Sequence, residues 1–364
     1  METFNNKKQI GIPRAISYYN NYPFYYGFCS ALGIEIVLSD KTTNKIVNEG
    51  TKYVVSDTCL PVKVFVGHVV NLLEKGVENI FCPSIQSCAY KINNCTKIRG
   101  LPEIIRNVIN RPINIIEPVL DITNNLDLYD FCYEFARPFG ITDKKLIKSA
   151  MKSGFDVYNK FLELSKIGVP FEKAIEMAIN CVTLLDYNVE PKPLSVVVMA
   201  HGYNLFDDKV SMNLLKKLDK LDVRVYTGLN ITKEQALSSI TELGEIQYWA
   251  NELDLTGAAA YYMLNKKVDG IVALSAFGCG PDSLMVEEIS YHAQEFNLPL
   301  LHLNIDEHTG EAGFMTRLEA FIDMLVRRKR KSLNNQDIIL KNDKTLSKLD
   351  EKVILDKELT NSLA

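Results

Sequence analysis

Short apolar runs alternate with stretches of helical periodicity along most of the chain. Gln9–Ile12 reads as a strand that Pro13 ends. Apolar positions at helical spacing follow over about residues 23–32, with Gly33 behind them as a stop. Residues 34–38 (IEIVL) form a buried strand. Thr42 or Thr43 caps a helix running to about Asn48, which Gly50 kinks or stops. Pro61 opens the next helix, which reaches Lys75 with Gly76 after it. Asn79–Phe81 and residues 113–119 are two more strands. Strands that alternate with helices predict a mostly parallel sheet covered on both faces.

Between about residues 125 and 188 the pattern turns helical. Phe131, Phe135, Leu146, Ala150, Tyr158, Phe161 and Leu164 recur at helical intervals, and Pro191-Lys192-Pro193 closes the stretch. A second α/β unit then opens with Leu194–Met199. Val223–Tyr226, residues 270–274 and residues 300–303 continue it, with Pro299 tolerable at a strand's first position. A last helix spans about residues 311–328, and the basic run at 327–331 suits a helix C-terminus. From Ser332 the tail is polar and reads as weakly ordered or as a partner-dependent helix. The predicted fold is α/β, with two Rossmann-like, doubly wound, mostly parallel domains joined by a helical connector. The expected boundaries are 1–124, 125–192, 193–331 and a polar tail at 332–364.

Composition narrows the classes. The 364 residues are 47% hydrophobic and 24% charged, ordinary for a globular protein that needs no disulfide staples. Forty-one basic residues against 45 acidic ones give a net charge of −4, which disfavours a nucleic-acid groove. No window of about 20 uncharged apolar residues marks a membrane span. The N-terminus lacks a signal-peptide core, so the expected location is the cytoplasm.

Eight cysteines, at 29, 59, 82, 88, 95, 132, 181 and 279, then need a role other than disulfides. Ligands in open parallel sheets bind beyond the carboxyl ends of the strands. Cys59 stands just before a predicted helix. Cys279 stands in the turn leaving a buried strand, between Gly278 and Gly280. Cys82, Cys88 and Cys95, spaced C-x5-C-x6-C, follow the third strand. Several thiols at such edges favour a shared metal or cluster, and thiolates suit both zinc and iron–sulfur. The close-spaced pairs of structural zinc sites are missing, and a scattered set from two domains suits a cluster between them. Cys29, Cys132 and Cys181 read as core positions on helices. His201 ends a strand on the site-bearing edge, whereas His68, His292 and His302 read as core or surface residues. Glu307, His308 and Glu311 form a cluster suited to acid–base work, or alternatively a capping segment with Thr309 as the cap. Phosphate-loop, dinucleotide and hydrolase-elbow motifs are absent from the sequence.

The motifs Ile12-Pro13-Arg14-Ala15, Leu38-Ser39-Asp40 and Asp57-Thr58-Cys59-Leu60-Pro61-Val62-Lys63 resemble the 2-hydroxyacyl-CoA dehydratase and benzoyl-CoA reductase superfamily, in its activase-related, double-cubane-cluster-like branch. Cys95-Thr96-Lys97-Ile98-Arg99-Gly100-Leu101-Pro102 resembles the branch's C-P-K-x-x-G-L-P, with Thr96 in place of proline. Phe277-Gly278-Cys279-Gly280-Pro281-Asp282-Ser283 and Asp306-Glu307-His308-Thr309-Gly310-Glu311-Ala312-Gly313 resemble two further signatures. The resemblance implies an iron–sulfur cluster, [4Fe-4S] or double-cubane type, held between the domains by Cys59, Cys95 and Cys279, with Cys82 and Cys88 as additional ligand candidates. It implies a low-potential electron carrier, a reductase or an acyl-CoA dehydratase-like enzyme of oxygen-sensitive metabolism. His201, Glu307, His308 and Glu311 are the acid–base candidates. The implied partner is an ATP-dependent activator with its own cluster, and a homodimer stays open. Two alternatives stand beside this reading: a non-catalytic scaffold for such an activator, and a zinc-bearing α/β binding protein.

Overall fold

Parallel strand pairing organises the first of the two units into which the chain divides, Met1–Phe314 and Met315–Ala364. The computed structural model describes residues 8–182, 190–244 and 249–332. β1 (Gln9–Ile12), α1 (Ser17–Leu32), β2 (Glu35–Leu38), α2 (Asn44–Tyr53), α3 (Leu60–Glu74) and β3 (Asn79–Phe81) open the unit. Next come β4 (Ser84–Ala89), β5 (Ile92–Asn93), α4 (Thr96–Arg99), α5 (Leu101–Val108), β6 (Asn114–Ile116) and β7 (Val119–Asp121). One sheet has the order β2-β1-β3-β6, with every pairing parallel. A small second sheet pairs β4 with β7 in parallel and with β5 antiparallel.

The helical stretch holds α6 (Leu128–Ala136), α7 (Lys144–Lys166) and α8 (Phe171–Ile179). β8 (Leu194–Met199), α9 (Gly202–Leu205), α10 (Leu214–Lys220), β9 (Val223–Tyr226), α11 (Lys233–Leu243), α12 (Ala250–Leu264), β10 (Gly270–Ala276), α13 (Gly280–Glu295) and β11 (Leu300–Ile305) follow. They build an all-parallel sheet of order β11-β10-β8-β9. Its central strand β10 is buried along its whole length, as a strand covered on both faces must be. Val197, Ile271 and Ala273 of this sheet pack with Ala259 and Tyr262 of α12 and with Met285 and Ile289 of α13. The α/β class with doubly wound, mostly parallel sheets is as the apolar pattern predicts. Among the described residues no helix is long and apolar enough to cross a membrane.

The departures have local causes. α1 begins at Ser17 rather than near Pro23, and Pro23 lies inside it. Buried Tyr18, Tyr19 and Tyr22 give the early turns a packed face that outweighs the proline's missing donor. Gly50 neither kinks nor stops α2. A Cβ there would lie 1.8 Å from the Lys63 carbonyl oxygen, so the glycine lets α2 and α3 touch. The strand expected over 113–119 splits into β6 and β7 at Glu117-Pro118, where a ladder donor is missing, and its halves enter different sheets. β4 and β5 occupy what reads in sequence as a loop. Cys29 and Cys132 are buried, but Cys181 is exposed, since it follows the end of α8 at φ 52°. Helical residues at the C-terminal side run over 311–332. The polar tail from 333 onward and the end of the connector, 183–189, lie outside the described residues.

Candidate functional site

Each four-stranded sheet reverses its strand order once. β1 lies between β2 and β3, and β8 lies between β9 and β10. Such a reversal opens a crevice at the carboxyl ends of the two diverging strands, where ligands bind. At the β8/β10 crevice, β8 delivers His201 two residues past its end. β10 ends at Ala276, and Phe277-Gly278 turn the chain so that Cys279 caps α13, with Pro281 in the helix's first turn. Gly278 sits at φ 76°, a conformation that a side chain would strain. Asp282 folds back, its Oδ2 accepting from the Ala276 N–H at 3.2 Å.

His201, Glu252 and Asp282 are all buried. His201 Nε2 lies 2.7 Å from Asp282 Oδ1 and 3.3 Å from Glu252 Oε1. The 2.7 Å contact lacks hydrogen-bond alignment, which leaves His201 Nε2 and Asp282 Oδ1 without hydrogen-bond partners. Ligand atoms of His201, Cys279 and Asp282 lie within 4.8 Å of one another. Burial alone would depress the His201 pKa, but Asp282, Cys279 and Glu252 outweigh it and hold the imidazole well above its ordinary value. Burial opposes the Asp282 charge, and His201 outweighs it and draws the carboxyl below the usual range. The two shifts agree on a charged pair. Burial pushes the Cys279 thiol up, against the pull of His201. Tyr203 stacks on the imidazole with ring centroids 4.8 Å apart.

Two more loops reach this crevice. Cys59 caps α3, with Pro61 in the first turn, and its side chain is buried. The carbonyl oxygen of Asp57, two residues earlier, lies 3.5 Å from where a Cβ on Gly278 would stand. Cys95 precedes α4, and Lys97 Nζ reaches the Gly278 carbonyl at 3.5 Å. Burial raises the Cys59 pKa, Lys97 lowers it, and the charges of Cys279 and Cys95 both raise it. Cys59 thus feels the charge of both other thiols, and Lys97 links the Cys95 segment to the turn that carries Cys279. Lys63, one turn into α3, is buried. Its Nζ donates to the Ser56 carbonyl at 2.8 Å and to Glu307 Oε1 at 2.5 Å. This ammonium ties the Cys59 loop to the segment after β11.

The other candidates have different neighbours. Cys82 is fully buried beyond β3, and burial pushes its thiol well up, with Glu117, Arg106 and Glu103 as its charged neighbours. Cys88 is on an exposed part of β4, where Asn94 Nδ2 donates to its sulfur at 3.8 Å and Lys233 and Asp254 are the nearby charges. Glu307 is engaged by Lys63. His308 is 85% exposed, 3.8 Å from Glu307 Oε1. Glu311 is 71% exposed and pairs with Lys217 at 2.6 Å, which draws its carboxyl down. Thr309 closes a turn on Asp306 just before the helical run that starts at residue 311. Its hydroxyl donates to Asp306 Oδ1 and accepts from the Asp306 N–H. Lys63, Glu252 and Asp282 are site residues that sequence reasoning missed. Lys63 and Asp282 stand inside the quoted cysteine motifs, while Glu252 sits on α12 with no local signal.

The architecture defines an α/β protein with a sulfur, nitrogen and oxygen donor site at the switch point of a parallel sheet. The family described as CoA enzyme activase uncharacterised domain matches residues 9–231, more than half of the chain, and the chain belongs to it. That family fits the activase-related branch of the 2-hydroxyacyl-CoA dehydratase superfamily. The matched span includes Cys59, Cys95 and His201, and Cys279 lies beyond it. No curated protein matches the chain.

Proposed function

We propose that Cys59, Cys95 and Cys279 hold an iron–sulfur cluster, of [4Fe-4S] or double-cubane type, that serves low-potential electron transfer or the reductive activation of a small substrate. The convergence of the three cysteine loops carries this reading. The donor set fits the group. Three thiolates are the ligands such clusters take, and the buried His201–Asp282 pair brings ligand atoms within 4.8 Å of Cys279. Among the described residues, nothing outside its own helix turn lies within 4 Å of a Cβ on Gly280, which leaves space beside Cys279 for a small molecule. When bound, the group supplies a one-electron centre. The chain's residues do the rest. Cys59 and Cys279 stand at the N-terminal, positive ends of α3 and α13, which favour a thiolate. His201 holds a proton at Nε2 between Asp282 and Glu252, beside Cys279. Lys63 fixes the Ser56 loop. The resemblance suggests an ATP-dependent activator with its own cluster as electron donor, working in the cytoplasm of oxygen-sensitive metabolism.

Anaerobic purification with iron and acid-labile sulfide analysis tests the reading. Iron and sulfide are expected together, and each of Cys59→Ala, Cys95→Ala and Cys279→Ala should lower both, whereas Cys132→Ala should not. Full iron in all three variants, or no sulfide in the parent, refutes it. A zinc reading rests on a different observation, the nitrogen, sulfur and oxygen donors of His201, Cys279 and Asp282 within 4.8 Å. It predicts one zinc per chain that His201→Ala removes and Cys95→Ala retains.

A further inference from the structure

A second cleft opens at the carboxyl ends of β1 and β2, on the other switch-point sheet. Its walls include Arg14, Tyr18, Lys41, Phe171, Phe206 and Lys209. Phe171 and Phe206 stack at 4.2 Å between centroids, 4° from parallel, and form a flat apolar floor. Arg14 leaves β1 in a tight turn, with the Ala15 N–H donating to the Pro13 carbonyl at 2.8 Å. Ile16 follows at φ 45°, which strains a β-branched residue. Backbone strain of this kind clusters at ligand-holding segments. The strained turn is fixed to the end of β2, since the Arg14 N–H donates to Ser39 Oγ and Arg14 Nε to the Ser39 carbonyl, each at 2.8 Å.

Charge pairing in the cleft is uneven. The three carboxylates in its wall all have partners. Glu172 pairs with Lys41 at 2.7 Å and Asp208 with Lys216 at 2.6 Å. Asp207 is buried and accepts from Tyr19 Oη at 3.0 Å, from Thr42 Oγ1, and from the N–H groups of Lys209 and Val210 at 2.9 and 3.0 Å. Burial holds the Asp207 carboxyl above its ordinary range, against the four hydrogen bonds it accepts. Arg14, by contrast, donates from Nη1 to Tyr18 Oη and acts on Asp40 only at longer range, as Lys209 does on Glu311, which already pairs with Lys217. A half-buried guanidinium with an unused face beside a second cation that holds no salt bridge in the cleft is matched to a planar or tetrahedral oxyanion.

We propose that this cleft binds the oxyanion group of a small molecule, a carboxylate or a phosphate, on Arg14 with Lys209 as the second cation. The cavity volume is about 40 Å³. At roughly 10–15 Å³ per water centre this is room for about three waters, the size of one such group, so the remainder of a larger ligand lies over the aromatic floor or in solvent. The site is separate from the cysteines, and its test succeeds or fails whatever metal they hold.

Isothermal titration of the full chain with inorganic phosphate and with acetate, at constant ionic strength against chloride, tests the proposal. One of the two anions is expected to bind at one per chain, and the preferred one identifies the group as phosphate or carboxylate. Arg14→Gln should weaken binding at least tenfold, as the loss of a charge-assisted hydrogen bond does. Because Arg14 also anchors Ser39, the exposed charge reversal Lys209→Glu serves as a second variant that leaves those anchoring bonds in place, with a similar loss expected. Binding no tighter than chloride, or parent-like binding in the folded variants, overturns the proposal.

Discussion

Replacing Lys63 with methionine should destabilise the protein out of proportion to its conservative size. The side chain is only 4% exposed, and its ammonium serves two acceptors, the Ser56 carbonyl and Glu307 Oε1. Removing it leaves a carboxylate that is 15% exposed with no buried cation beside it. Breaking a buried pair from one side costs about 3–5 kcal/mol. Partial water access to Glu307 places the expected loss near the lower end, and the lost Lys63–Ser56 hydrogen bond adds about 1 kcal/mol or less, since Ser56 is exposed. Glu307→Leu alone should cost a comparable amount, because it strands the ammonium. The double variant Lys63→Met with Glu307→Leu replaces two charges by two apolar side chains of similar length. It should therefore recover about 2 kcal/mol or more of the summed losses.

Urea midpoints of the four proteins, read by circular dichroism, measure this coupling. A Lys63→Met loss below about 0.5 kcal/mol, or single losses that simply add, refutes the idea that the pair acts as a buried unit. The same variant should loosen the Ser56–Thr58 loop, and metal retention after dialysis against a chelator should fall in Lys63→Met but recover in Lys63→Arg.

Two further outcomes follow from other parts of the fold. At the α2–α3 crossing, a Cβ on Gly67 would stand 2.0 Å from the Ile46 carbonyl, and one on Gly50 is tighter still. Either alanine variant should lose more than the 1–3 kcal/mol or so of ordinary overpacking in urea melts, and a parent-like midpoint would contradict the close crossing. His68, wholly buried in α3 and hydrogen-bonded to Thr42 Oγ1 at 2.9 Å, has its pKa pushed down to about 3 by burial first and by Arg14 next. The unfolded chain takes up this proton near pH 6.5 and the folded chain only near 3, so stability falls as pH drops through that window. At pH 5 the loss is about 2 kcal/mol relative to pH 7, and a His68→Gln protein whose pH profile runs parallel to the parent's would rule the assignment out.

What the sequence discloses tracks how local each cause is. β1, β3, β8 and β9 are found at their expected bounds because each is a short apolar run with its own punctuation. The edge placement of Cys59, Cys279 and His201 is legible for the same reason, since a strand end followed by a helix start is a local pattern. β4 is not legible, because Ser84-Ile85-Gln86-Ser87-Cys88-Ala89 has no apolar alternation and is recruited by pairing with β7 across 30 residues. Glu252 and Asp282 escape notice because a buried acid is visible only through its partner. His201 lies 51 and 81 positions away from them in the chain, and no spacing encodes that meeting. The Glu307–Glu311 segment reads as acid–base equipment because its composition suggests it, but Lys63 and Lys217 already occupy its two glutamates.

The charge balance of the crevice bears on which occupant it suits. Burial keeps the Cys59 and Cys279 thiols above their ordinary pKa, so they stand neutral in the absence of a cation. Turning Cys279 into a thiolate sets a second negative charge within 4.8 Å of the Asp282 carboxylate. At an effective dielectric near 20 that repulsion is about 3 kcal/mol. His201 offsets it, but the imidazolium is already shared with Asp282 and Glu252. Lys63 is committed to Glu307, which leaves Lys97 as the cation acting on Cys59. Thiolates from Cys59 and Cys95 would add two more negative charges to the same neighbourhood, with Lys97 the cation that acts on Cys59 among the described residues. A monovalent cation is too weak to hold three thiolates together under these conditions, whereas a polyvalent metal or a cluster deprotonates its own ligands as it binds. The electrostatics thus favour an occupant with several positive charges, which is the property that iron–sulfur and zinc share and that an organic substrate alone lacks.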